Sequence, residues 1–214
     1  GAASGVATKY IARPQARPVG IIGSGWQAQS QLMAVCAVRP VAMVRAYSRD
    51  PQRRQAFARQ MSEVLGMQVD AADSAKEAVE GCDIVITATN ASQPLFNGRW
   101  LSPGAHVNAI GANAILRREI DDATVLRCGT IVVDCKDQAR IEAAELIFPI
   151  ERGQLYWDQV KELGEVVAGI IPGRRSEDEI TLFKSLGIAI WDVATAQRLY
   201  QIARQKGAGQ ELPF

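Results

Sequence analysis

The chain has 214 residues, enough for one or two domains and a sizeable buried core. Hydrophobic residues make up 48% and charged residues 22%, and 24 Lys+Arg against 23 Asp+Glu leave a formal charge of +1. That balance argues against a broad footprint for nucleic acid or an anionic membrane, while a local anion pocket stays open.

In chain order, Ala2–Ala12 reads as a helix stopped by Pro14 and Val19–Ile22 as a short buried strand. Gln27–Val38 is a helix ending near Pro40, Val41–Tyr47 a second strand, and Pro51–Leu65 a helix with proline at its first position. Met67–Ala71 reads as a third strand. Ser74 caps a short helix through Val79, with Glu77 completing a capping box. Asp83–Ala88 and His106–Ile110 are β-branched or apolar strands, and Ile131–Val133 is a sixth that runs into Asp134. Beyond it, Asp137–Leu146 and Trp157–Val167 read as amphipathic helices and Ile171-Pro172-Gly173 as a turn. Ser176–Glu179 resembles a capping box, although Ile180–Phe183 after it has strand character. Ala189–Lys206 is a final helix, and Gly207–Phe214 a tail expected to pack on something outside the chain. Strands alternating with helices imply a doubly wound parallel α/β sheet, a Rossmann fold with added C-terminal helices.

The longest uncharged stretch, Pro18–Val38, carries a serine pair and three glutamines and is too polar to span a bilayer. The start at Gly1 shows no signal peptide and lies inside a helix, so the expectation is a piece of a longer protein. Cys36, Cys82, Cys128 and Cys135 form no C-x-x-C pair, which favours reduced thiols and a cytoplasmic setting. A single histidine, His106, cannot build a multi-His metal site, and no metal is expected.

Val19-Gly-Ile-Ile-Gly23-Ser24-Gly25-Trp26-Gln27-Ala28 is the segment richest in chemistry. It is a G-x-G-x-x-A pattern between a strand and a helix, the context of a dinucleotide site. Gly23 makes the tight turn, Gly25 lets backbone approach a pyrophosphate, and Ala28 allows close helix–sheet packing. The pyrophosphate would sit on the helix N–H groups near Trp26. The second strand ends at Ser48-Arg49-Asp50. Ser48 and Arg49, with Arg53 and Arg54 a turn further on, suit a ribose 2′-phosphate, so NADP(H) is preferred, with NAD(H) the alternative through Asp50. Thr87, Ala88 and Thr89 end the fourth strand on the ligand side and are read as cofactor-binding, against a turn that caps only itself.

Gly23–Ala28, Ala88-Thr89, Pro103–Ala112, Pro172-Gly173-Arg174, Ile180–Gly187 and Asp192-Val-Ala194 together resemble the ornithine cyclodeaminase/mu-crystallin family across the whole chain. The resemblance implies a Rossmann half paired with a substrate domain built from earlier sequence, which supplies a substrate-handling lysine and arginine and the homodimer contact. On that reading residues 1–14 are a helix linking to the absent domain, 15–190 the NAD(P)-binding domain, and 191–214 a helix and tail returning to it. Ser185 joins the cofactor site by the same resemblance. The implied activity is hydride transfer at a carbon bearing nitrogen on a small amino- or imino-acid substrate: an imino-acid reductase of ketimine or pyrroline-carboxylate type. Ornithine cyclodeaminase or alanine dehydrogenase is the alternative, and a non-catalytic cofactor- or ligand-binding crystallin a second. Cyclodeaminases and archaeal-type alanine dehydrogenases carry a functional Asp after the fifth strand. Here that catalytic position is Asn113, an amide that can orient a ligand but cannot serve as a base. His106 and Asp134 are expected to be structural.

Overall fold

The computed structural model describes residues 1–210 and 212; of the expected tail, residues 211, 213 and 214 lie outside the described residues. The elements are α1 (Ala2–Ile11), β1 (Pro18–Ile22), α2 (Trp26–Cys36), β2 (Met43–Tyr47), α3 (Pro51–Leu65), β3 (Val69–Ala71), α4 (Ala75–Val79) and β4 (Ile84–Thr87). They continue with β5 (His106–Ala109), α5 (Asp122–Arg127), β6 (Cys128–Val133), α6 (Lys136–Glu142), α7 (Ala144–Glu151), β7 (Val160–Glu162), α8 (Leu163–Val167), β8 (Ile180–Lys184) and α9 (Ala189–Lys206).

Eight strands form one parallel sheet in the order β3-β2-β1-β4-β5-β8-β6-β7. The chain winds outward from β1 through β2 and β3, then crosses to β4 on the other side, so β1 and β4 flank a switch point. Apolar residues alternate between the two faces. Val19, Ile21, Ile84 and Ile86 pack with Leu32 of α2 and Phe57 of α3, while Ile22, Val85 and Val107 pack with Val125 of α5 and Leu146 of α7. Both faces are therefore covered, as a parallel sheet requires.

Local chemistry explains the boundaries read most accurately. Asp50 caps α3 by accepting from the Gln52 and Arg53 amides, Pro51 occupies the first turn, and Gly66 ends the helix at φ 64°. Ser74 caps α4 through the Glu77 amide at 3.1 Å. The helix α1 lies on the sheet, with Ala7 and Ile11 packed against Val132 and Phe183. By contrast α9 buries none of its 18 residues and exposes Ile190, Val193, Leu199 and Tyr200.

Three readings need correction. Trp157–Val167 is not one helix: it contains a turn, β7 and the short α8. Asp137–Leu146 is broken at Ala143, whose ψ of 76° divides α6 from α7. Ser176–Glu179 starts no helix; it leads into β8, which returns to lie between β5 and β6. The packing of β8 between two strands, with all five residues buried, outweighs the capping-box pattern.

Candidate functional site

The carboxyl ends of β1, β2, β4, β5 and β8 open on one cleft of about 1280 Å³ at the switch point. The fingerprint loop forms its floor. Gly23 stands at φ 129°, and a Cβ there would lie 2.4 Å from the Ala88 carbonyl oxygen, so protein packing alone demands glycine. Gly25 is different. Its φ is −91°, and a Cβ would find no protein atom within 4 Å. Gly25 lines the cleft, so the space kept free beside it is open to a ligand.

Gly25 is also the N-cap of α2. It supplies no capping side chain, and the first turn carries no acidic residue. The first N–H groups of α2, together with its dipole, thus favour an anion at the loop. Ala28 is fully buried against the sheet, as the fingerprint requires. Ser24 and Gln27 line the cleft, and Trp26 stands at its mouth, 80% exposed.

At the end of β2, Ser48, Arg49 and Arg53 all line the cleft. Ser48 Oγ donates to the Asp50 carbonyl at 3.2 Å. The Asp50 carboxylate is committed to capping α3, and its second oxygen lies 3.7 Å from Arg53 Nε. Arg54 turns away, pairing with Asp73 at 2.9 Å and lying over the Tyr47 ring.

At the end of β4, Ala88 and Thr89 line the cleft but Thr87 does not. Thr87 is fully buried, and its Oγ1 donates to Glu119 Oε2 at 2.9 Å. Its hydroxyl is spent on that buried carboxylate and sealed from the cleft, which corrects the expectation that this side chain contacts the cofactor. Asn113, exposed after β5, lines the cleft, as does Ser185 after β8. Ser185 Oγ donates to Asp134 Oδ2 at 3.2 Å. That same oxygen accepts from the Leu186 and Gly187 amides, both at 2.7 Å, so Asp134 ties the β6 and β8 ends together.

His106 is sealed in the sheet, and burial pushes its pKa down from 6.5 to about 3. Thr181 Oγ1 donates to the Ile11 carbonyl, so it accepts from His106 Nδ1–H at 2.9 Å. The histidine is structural. Arg174, prominent in the family-like segment, donates to the Ile11 and Gly104 carbonyls and to Thr181 Oγ1. It fastens α1 to the sheet. All four cysteines are free thiols, and burial raises Cys36 and Cys82 to about 11 and Cys128 to about 12. Among the described residues no cluster of His, Cys, Asp and Glu could hold a metal ion, and no helix is long and apolar enough to cross a membrane.

Two further residues of the cleft lining carry charge, Arg117 and Asp192. Neither was singled out by composition or spacing; Arg117 sits in an Arg-Arg-Glu run that reads as a solvated surface. It is exposed four residues past Asn113 and brings the cleft a cation on the β5 side.

A family model for the ornithine cyclodeaminase/mu-crystallin family matches residues 1–207. A Δ1-pyrroline-2-carboxylate reductase of Bacillus cereus is 37% identical over 215 aligned residues, covering 100% of this chain and 66% of that protein. An alanine dehydrogenase of Archaeoglobus fulgidus is 36% identical over 215 residues, covering 100% of this chain and 65% of the relative. A solved structure of Thermococcus litoralis Δ1-pyrroline-2-carboxylate reductase, in complex with NADH and L-proline, superposes with a TM-score of 0.94 at 42% identity. It covers 98% of this chain and 65% of its own. The chain therefore spans about two thirds of the length of these relatives.

Proposed function

This chain belongs to the ornithine cyclodeaminase/mu-crystallin family, and we propose that it forms the cofactor-binding part of an NADP(H)-dependent imino-acid reductase. The observation that carries the cofactor assignment is Gly25: a glycine that packing does not require, lining open space at an uncapped helix N-terminus. Gly23, Ser24 and Gln27 complete the floor that would hold a pyrophosphate. Ser48, Arg49 and Arg53 would hold a 2′-phosphate. Arg49 and Arg53, two cations lining the cleft at the β2 end, support NADP(H) over NAD(H).

When bound, a nicotinamide supplies the hydride. The chain's own residues then hold and screen the reacting centre. Thr89 and Asn113, across the cleft lining from Ser48 and Arg49, would border the reacting end; Asn113 could orient a substrate nitrogen by hydrogen bonding but could not take its proton. That chemistry favours a reductase of cyclic or linear imino acids over a cyclodeaminase or an alanine dehydrogenase. The similarity to pyrroline-carboxylate reductases supports the same substrate class.

We place the cation that fixes the substrate carboxylate, and the acid that keeps its nitrogen protonated, in the third of the relatives that this chain does not cover. The bare face of α9 supports a contact with that portion, and we infer that the homodimer forms there as well. Residues 1–14 and 191–214 would then flank a cofactor domain at 15–190. The four free thiols fit a reducing cytoplasm.

The test is an assay of the full-length protein with NADPH against cyclic ketimines, against pyruvate plus amines, and with NAD and ornithine. Consumption of NADPH on cyclic imines, with no reaction of ornithine, is expected. Turnover of ornithine with NAD and none of the imines would replace the reductase by a cyclodeaminase.

A further inference from the structure

Glu119 does not line the cleft, yet both of its carboxylate oxygens are spent on the β4 and β5 ends that do. The residue is fully buried between β5 and α5. Its Oε1 accepts from the Thr89 amide at 2.6 Å and from Thr89 Oγ1 at 2.8 Å. Its Oε2 accepts from Thr87 Oγ1 at 2.9 Å and from the Gly111 amide at 2.5 Å. One carboxylate therefore bridges the loop after β4 and the loop after β5. Its carbonyl accepts from the Leu95 amide at 2.8 Å, so residue 119 ties the β4 loop at a second point.

The two loops are pressed together where it grips them. A Cβ on Gly111 would stand 2.1 Å from the Thr89 carbonyl oxygen and 2.5 Å from Glu119 Oε1. Behind the clasp lies a second buried layer. The Glu119 amide donates to Glu145 Oε1 at 3.1 Å, and Lys184 Nζ lies 3.5 Å from that oxygen while donating to the Ala112 carbonyl, one residue before Asn113. Glu145 and Lys184 are both fully buried.

We propose that Glu119 is a positioning residue, which clasps the β4 and β5 loops so that Thr89, Gly111 and Asn113 present a fixed wall to the nicotinamide half of the cofactor. This rests on reading the cleft as a dinucleotide site. The two halves of that site are separable here. Ser48 and Arg49 lie beyond β2 on the other side of the fingerprint, and Glu119 touches nothing there. A merely structural carboxylate would weaken every ligand together as the domain loosened. A clasp would weaken only ligands that reach the β4 and β5 side.

The experiment is Glu119→Gln in the full-length protein. Glutamine offers one oxygen and one NH2 group, but each side of the clasp presents a backbone N–H, so one of them must face a donor. The affinity for NADPH should fall about tenfold, the scale of one lost charge-assisted hydrogen bond. The affinity for 2′-phospho-ADP-ribose, which lacks the nicotinamide half, should change by less than about twofold. NADH and ADP-ribose serve as the matching pair if the wild type takes NAD(H). Thr87→Val, which removes a single donor outside the cleft, covers the case in which Glu119→Gln does not fold; it should cost about threefold in NADPH affinity and spare the fragment. Equal losses for dinucleotide and fragment, or no loss for either, would overturn the clasp while leaving the cofactor site intact. A wild-type protein that binds no dinucleotide would overturn both.

Discussion

The fingerprint holds two glycines, two residues apart, whose replacement should fail in opposite ways. Gly25→Val places a branched side chain where no protein atom lies within 4 Å, at φ −91°, a value open to any residue. Its cost to folding is that of a poorer N-cap, about 1 kcal/mol or less. Its cost to binding is steric exclusion of the pyrophosphate from the α2 N-terminus, at least about 100-fold in affinity, or ~2.7 kcal/mol. Gly23→Ala is the reverse case. At φ 129°, with a Cβ 2.4 Å from the Ala88 carbonyl, it should lose about 1–3 kcal/mol of stability or more. Thermal unfolding and NADPH fluorescence titration of both variants separate the two effects. Near-normal affinity in a folded Gly25→Val protein would refute the assignment of that open space to a ligand.

Arg49→Asp should reverse the cofactor order, weakening NADPH and strengthening NADH, and wild-type preference for NADPH should fade as salt rises. Equal binding of the two cofactors by the wild type would remove the argument from the β2 end. His106 predicts an acid-side loss of stability. The folded state resists protonation down to about 3, whereas the unfolded chain takes the proton below 6.5. The contribution is fully present above pH 6.5 and is lost by about 1.4 kcal/mol for each unit below it, until pH nears 3. His106→Asn should flatten that slope in pH-dependent denaturant unfolding, and an unchanged slope would contradict the buried neutral imidazole. The 214-residue chain alone should bind cofactor without turning over imines; robust turnover would return the acid–base role to the cleft's own carboxylates, Asp134 and Asp192.

The first half of the fold was legible because its signals are local. The β-branched run at β4, the Asp50-Pro51 start of α3 and the Ser74 cap of α4 each act within a few residues and appear where the sequence places them, although Glu77 accepts from the Asp73 amide and so leaves the capping box half made. The second half depends on contacts distant in sequence. β7 has three residues, Val-Lys-Glu, whose strand character comes from pairing with β6. The place of β8 between β5 and β6 follows from closing a core, which no local pattern encodes.

The cleft divides similarly. The fingerprint loop, Ser48, Arg49, Asn113 and Ser185 come together as expected, since each follows a strand whose end the sheet brings to one edge. The burial of Thr87 was not legible, because the carboxylate that takes its hydroxyl lies 32 residues further along the chain. Glu119 was invisible for a related reason: Arg117-Arg118-Glu119 reads as a solvated charge run, and only the meeting of two loops shows its carboxylate to be fully buried.

The central claim is that the switch-point cleft is a nicotinamide dinucleotide site, and a titration of the 214-residue chain with NADPH tests it most directly. The result predicted is saturable binding of one NADPH per chain, competed by 2′-phospho-ADP-ribose and absent in Gly25→Val. A folded wild-type chain that binds neither NADPH nor NADH would contradict it.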